Sequence, residues 1–136
     1  MKSMQTDAAV KARLISLVST IETLTAIAND ISYDDIFAYQ LKTLAQPGDL
    51  LLTYSASGES ENVVRAIDWA VNNQLEAIAI TGFEGGRAAN TATLNVHVPA
   101  DNYGVIEDLF QSISHILVHS LRMAEMPAEL VAARKF

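Results

Sequence analysis

The residues able to do chemistry gather in one short stretch. Ser55, Ser57 and Ser60 set three hydroxyls around Gly58, directly after the apolar run Leu50 to Leu52. Beyond them Val63, Ile67, Ala70 and Val71 recur at i, i+4, i+7 and i+8, one face of a helix. A helix start leaves backbone N–H groups without partners and carries the positive end of the macrodipole. Hydroxyls, together with a glycine that lets the backbone come close, make such a turn an anion site suited to phosphate. One serine, Ser57 or Ser60, would be accounted for as a helix N-cap. Three at this spacing after a strand favour phosphate. A second group lies further on: Glu107, Asp108, His115 and His119. His115 and His119 have the i, i+4 spacing that can hold a metal. Glu107 and His115, eight apart, lie about 80° round a helix from each other. On spacing alone these four are the polar side of an amphipathic helix. Asp34 and Asp35 could be read as an acid/base pair, but they fit a first helical turn behind the N-cap Ser32. His97, between Val96 and Val98, reads as a solvent-facing edge histidine.

The elements that must position these groups alternate between strand and helix. Residues 1–11 carry no strong pattern, and Asp7 to Lys11 fits a fragment of helix or a loose end. Leu14-Ile15-Ser16-Leu17-Val18 is β-branched and apolar, which predicts a first strand. Ser19-Thr20 predicts a turn and cap, and Leu24, Ile27 and Ala28 a short helix. Asn29-Asp30 suits a hydrogen-bonding role at a helix junction. Ile36, Phe37, Tyr39, Gln40, Leu41 and Leu44 predict a helix that Pro47-Gly48 ends. The strand Leu50–Leu52, the serine turn and a helix to about Asn73 follow. Ala77 to Thr81 predicts another strand, and Leu94 to Pro99 an edge strand with polar alternation. Between them, Gly82, Gly85 and Gly86 require a tight backbone path. They fit neither a dinucleotide fingerprint nor a P-loop. Ile106 to about Met123 is the longest helix, its apolar side made by Ile106, Leu109, Phe110, Ile113, Ile116, Leu117 and Leu121. Ala128 to Lys135 predicts one more short helix. The alternation predicts an α/β fold, a parallel sheet of about four strands with helices on both faces. The ligand is then expected beyond the C-terminal ends of the strands.

Length and composition bound the function. At 136 residues the chain is expected to be a single domain, 1–136. Half is hydrophobic, enough for a core. A net charge of −7 with nine Lys and Arg argues against a nucleic-acid surface, which needs a basic patch. It leaves room for a small phosphate ligand held by hydroxyls and amides. Without cysteine there is no disulfide framework and no thiolate metal site. No run reaches the roughly 20 apolar residues of a membrane span and none resembles a signal peptide, so a cytoplasmic protein is expected.

Ser55-x-Ser57-Gly58-x-Ser60-x-Asn62 after Gly48-Asp49 and its strand resembles the sugar isomerase (SIS) domain, and within it the phosphoheptose isomerase branch. Asn29-Asp30-x-x-Tyr33-x-Asp35-Ile36-Phe37 and Thr81-Gly82-x-x-Gly85-Gly86 resemble further segments of the same family. The likeness runs from about Leu14 to about Arg122. It implies a three-layer α/β/α, flavodoxin-like fold and a sugar phosphate as ligand. The phosphate would be held by Ser55, Ser57, Gly58 and Ser60. By the same resemblance Glu107 and His115 fall where the family's last helix helps hold a zinc ion or takes part in proton transfer.

Where the family has a further strand ending in a glycine loop, then a helix with His and Glu, this sequence has no counterpart, so the family pattern is shortened at its N-terminal side. The resemblance places that strand inside the sheet, which must then close up or be completed by another chain. Family members are oligomers, so a homo-oligomer, dimer or tetramer, is expected. Aldose–ketose isomerisation needs a base to move a proton between adjacent carbons and an acid for the oxygens, and Glu107 and His115 are the groups left to supply them. Two protein ligands are one fewer than catalytic zinc usually takes. Two readings therefore stand: a phosphosugar isomerase, or a catalytically silent SIS module that senses a phosphosugar or acts through protein contacts.

Overall fold

The computed structural model describes residues 13–133. In chain order they form helix α1 (Ile21–Asp30), a 3-10 turn (Tyr33–Asp35), α2 (Ile36–Leu44), β1 (Leu50–Ser55), α3 (Glu61–Asn72), β2 (Glu76–Thr81), α4 (Gly86–Thr91), β3 (Leu94–His97), α5 (Tyr103–Ala124) and α6 (Ala128–Ala133). The reading of Asp7 to Lys11 lies outside the described residues, as do Arg134 and Lys135 of the expected last helix. The chain divides into two compact units, one of Ser16–Asp108 and one that includes Leu109 onward. Among the described residues no helix is long and apolar enough to cross a membrane.

The sheet belongs to the first unit. It is parallel, in the order β1-β2-β3. Its register runs from Leu50 opposite Glu76 to Ser55 opposite Thr81, and from Ile78 opposite Leu94 to Thr81 opposite His97. Ser55, Thr81 and His97 therefore finish their strands in line. One face carries Leu51, Ala77 and Ala79, and α3 lies over it with Val64, Ile67 and Ala70. The two strand alanines are fully buried, because only a methyl group leaves room for a helix backbone so near the sheet. On the opposite face Ile80 is fully buried. Ile106, in the first turns of α5, lies against Gly82, where a Cβ would come within 2.5 Å of its side chain.

The sheet has three strands, not the expected four. Leu14 to Val18 forms no strand; it is irregular and ends in a turn, with Leu14 81 % exposed. Its propensity is real, but a strand needs a ladder partner and neither edge of the sheet pairs with it. Leu17 alone packs against the core, and its carbonyl accepts a hydrogen bond from Gln40 Nε2 at 3.1 Å. The outer side of β1 is thus an open edge among the described residues, and β3 is the other edge, as its polar alternation predicts.

Ser32 caps the 3-10 turn, accepting from the Asp34 amide at 3.0 Å. Thr20 occupies the N-cap of α1 without a side-chain bond, while the Ser19 hydroxyl donates to the Ser16 carbonyl at 2.8 Å. Asn29 Nδ2 donates to Asp30 at 2.8 Å where α1 ends.

Candidate functional site

The serine loop joins β1 to α3. Ser55 is buried, and both its Oγ and its carbonyl accept from the Gly58 amide at 3.2 Å. This turns the chain back over the end of the strand. Ser57 Oγ accepts from the Glu59 amide, also at 3.2 Å. Ser60 stands at the N-cap of α3 but makes no capping bond with its side chain; its carbonyl takes the amides of Val63 and Val64 at 3.0 Å. A hydroxyl that accepts from the backbone keeps its proton to donate elsewhere. Ser57 is partly exposed and Ser60 exposed, so both protons can reach a ligand. With Val63 and Val64 donating to the Ser60 carbonyl and Val63 also to Asn62 Oδ1 at 2.8 Å, the first-turn amides of the 12-residue α3 that lack intrahelical acceptors are those of Glu61 and Asn62. The helix-cap account therefore does not explain Ser60, while Ser55 is chiefly a turn-forming residue.

A second loop, Gly82 to Gly86, crosses the first at backbone contact. Gly58 (φ +66°), Gly85 (φ +84°) and Gly86 (φ +58°) are all left-handed. A Cβ at Gly58 would strike the Gly85 carbonyl, and one at Gly86 would come within 2.6 Å of the Ser57 carbonyl oxygen. Gly82 N donates to the Ala56 carbonyl and Ala88 N to the Gly58 carbonyl, each at 2.9 Å. The glycine spacing signalled a tight path; that the path is wrapped around the serine loop was not legible, because it depends on the β1–β2 register.

Charged residues fasten this crossing. Arg87 Nε donates to Glu59 Oε2 at 2.9 Å and its amide to Glu59 Oε1 at 2.9 Å. Its Nη1 reaches Glu61 at 2.8 Å and its Nη2 the Glu59 carbonyl at 3.0 Å. Arg65 links Glu61 at 2.8 Å to Asp35 at 3.0 Å, with Asp34 at 3.6 Å. The hydrogen bond from Arg87 holds the Glu59 carboxyl below the usual carboxylate range, and that from Arg65 does the same for Glu61, seconded by Arg87. Both guanidiniums are held further toward the charged form by these carboxylates. Sequence reasoning missed this network. The i, i+4 spacing of Glu61 and Arg65 was an available signal, whereas Arg87 to Glu59 joins two loops and left none. Asp34 and Asp35 lie in the first turn behind Ser32, as expected, but their carboxylates pair with Arg65, and Asp35 at the N-cap of α2 makes no side-chain capping bond.

The remaining candidates lie elsewhere. His97 is exposed, with Nδ1 3.4 Å from Thr81 Oγ1; Thr81 in turn donates to Asn95 at 2.9 Å. Glu107 is exposed and belongs to the unit of Ser16–Asp108. His115 is exposed and belongs to the other unit, its ring 6.2 Å from that of His119. Among the described residues no three His, Asp or Glu side chains converge to hold a metal. Glu107 and His115 are one donor short of a usual catalytic zinc set, so the described residues do not by themselves fit the ion.

Comparison with known proteins bears on the same loop. The family model described as SIS domain matches residues 5–82. A phosphoheptose isomerase of Shewanella sediminis is 37 % identical over 118 residues, covering 85 % of this chain and 60 % of that protein. One of Colwellia psychrerythraea is 41 % identical over 106 residues, covering 76 % and 54 %. The solved phosphoheptose isomerase of Francisella tularensis superposes with a TM-score of 0.69 at 33 % identity, over 79 % of this chain and 56 % of that one. That of Neisseria gonorrhoeae gives 0.70 at 31 %, over 81 % and 59 %. The chain thus spans about three-fifths of the length of the relatives it matches.

Proposed function

Because the chain belongs to the SIS domain family, we propose that its Ser55–Ser60 loop holds the phosphate of a sugar phosphate. The observation that carries this is the pair of hydroxyls, Ser57 and Ser60, left free of capping duty at the positive end of α3. Gly58 brings the backbone to the same place, and Ser55 sets the turn. The relatives favour an isomerase-like module over a silent one, and a seven-carbon sugar phosphate as its ligand class. In such a reaction a proton moves between adjacent carbons, and Glu107 and His115 are this chain's groups for proton transfer. No step is assigned to zinc; binding it would need a donor beyond this pair.

Self-association belongs to the same proposal, as does a cytoplasmic setting, which accords with the enzyme type of the relatives. The support for self-association is a stripe on α5: Leu109, Ile116 and Met123 recur every seven residues and stay 41 %, 62 % and 38 % exposed. Apolar side chains at that period form a seam that a second helix covers.

Calorimetric titration with sedoheptulose 7-phosphate tests the reading. Saturable binding is expected, weakened about ten- to a hundredfold in Ser57→Ala, since a hydrogen bond to a charged group contributes about 1.5–3 kcal/mol. Unchanged affinity in that variant would remove the loop from consideration. Glu107→Gln and His115→Ala should each abolish any steady turnover heat while leaving binding intact; turnover that survives both excludes them from proton transfer.

A further inference from the structure

The serine loop carries a carboxylate where an anion is to bind. Glu59 stands between Gly58 and Ser60, and Glu61 opens α3. A phosphate dianion held by Ser57, Ser60 and the Glu61 and Asn62 amides would lie beside both, and like charges at such range oppose binding. Every donor nitrogen of the Arg87 side chain is already engaged, by Glu59, Glu61 and the Glu59 carbonyl. Glu61 has Arg65 as a second partner, whereas Glu59 pairs with Arg87 alone among the ion pairs of the described residues. Arg87 reaches across from α4, so it also holds the second loop against the first.

We propose that Arg87 is a positioning residue of the anion site: it cancels the charge of Glu59 and holds that carboxylate turned aside, so the loop can accept a phosphate dianion. Arg87 touches no phosphate in this account; it acts through Glu59. The inference rests on the phosphate reading of the loop. The site is thereby kept near electrical neutrality in a chain whose net charge is −7. Anion selectivity comes from directed N–H and O–H donors, with the arginine spent internally.

The test is a charge cycle read by titration with sedoheptulose 7-phosphate. Arg87→Met leaves Glu59 uncompensated and should weaken binding about five- to tenfold. Glu59→Gln/Arg87→Met removes both charges and should return affinity to within about twofold of the unaltered chain. Arg87→Lys keeps the charge without the fork, and should lose less than about threefold. The loss in Arg87→Met should also shrink at 1 M salt, where screening acts within about 3 Å. A purely structural role would be neither rescued by Glu59→Gln nor relieved by salt. A direct contact from Arg87 to phosphate would leave the double variant as weak as the single one. Either result, or full affinity in Arg87→Met, overturns the inference while the phosphate reading stands. No binding by the unaltered chain overturns both.

Discussion

At the scale of the residue, the serine loop divides its labour in a way that residue types alone conceal. Ser55, Ser57 and Ser60 look equivalent in the sequence, yet Ser55 is buried as a turn former and Ser60 is free of the cap it seems placed to make. The placement of the motif between a strand and a helix was legible because an apolar run, a glycine turn and a helical period follow one another there. The division was not, because it depends on which amide each oxygen meets. Gly58 shows the same limit. Its neighbours announce a turn, but what forbids a side chain is the Gly85 carbonyl, 27 residues away in the chain. Gly58→Ala would need both a left-handed alanine and a shift of that backbone. A loss of about 2–4 kcal/mol is expected, to be measured as the shift in a urea unfolding midpoint. A change below about 0.5 kcal/mol would show that the two loops can part.

At the scale of the element, helix periodicity carried furthest. The apolar spacing of α3 placed Ile67 and Ala70 on the side that faces the sheet, both at 0 % exposure, but Val71 of the same expected face is exposed near the end of the helix and Val64, outside it, is buried. Ile67→Ala should cost about 2–5 kcal/mol, seen as a lowered thermal midpoint. A cost near zero would mean that the helix rests on the sheet through its other contacts. Strand reading did less well at Leu14 to Val18. Propensity there is as strong as in β1, but a strand is a property of pairs of segments, and propensity is a property of one. In β2 the run Ala77 to Thr81 was read correctly because it lies between two partners. The polar alternation of β3 likewise marked an edge, since a strand with one open flank keeps residues such as Asn95 and His97 near water.

At the scale of the whole molecule, the α/β class and the family followed from the alternation of elements and the serine motif, and three strands rather than four is the departure. Leu109 and Ile116 of the seam were visible in the sequence as part of an apolar side, but Met123 was not among them, and the exposure of all three was not legible. Sedimentation velocity should find an assembly larger than one chain. Ile116→Asp, which puts a charge on the most exposed residue of the seam, should shift it toward the single chain without loss of helical signal. A single-chain mass for the unaltered protein would leave that seam without a role in assembly.

The crossing of the two loops has a consequence for motion. Where Gly58 passes Gly85, no side chain stands between the backbones, and the hydrogen bonds of Gly82 to Ala56 and Ala88 to Gly58 flank the contact. Neither loop can breathe alone: opening either breaks bonds that belong to both, so the pair forms one hinge-free plate. On the proposed phosphate reading, rigidity of that kind means that a guest entering over Ser57 and Ser60 would find its donors already aimed, and would lose little free energy to the ordering of its host.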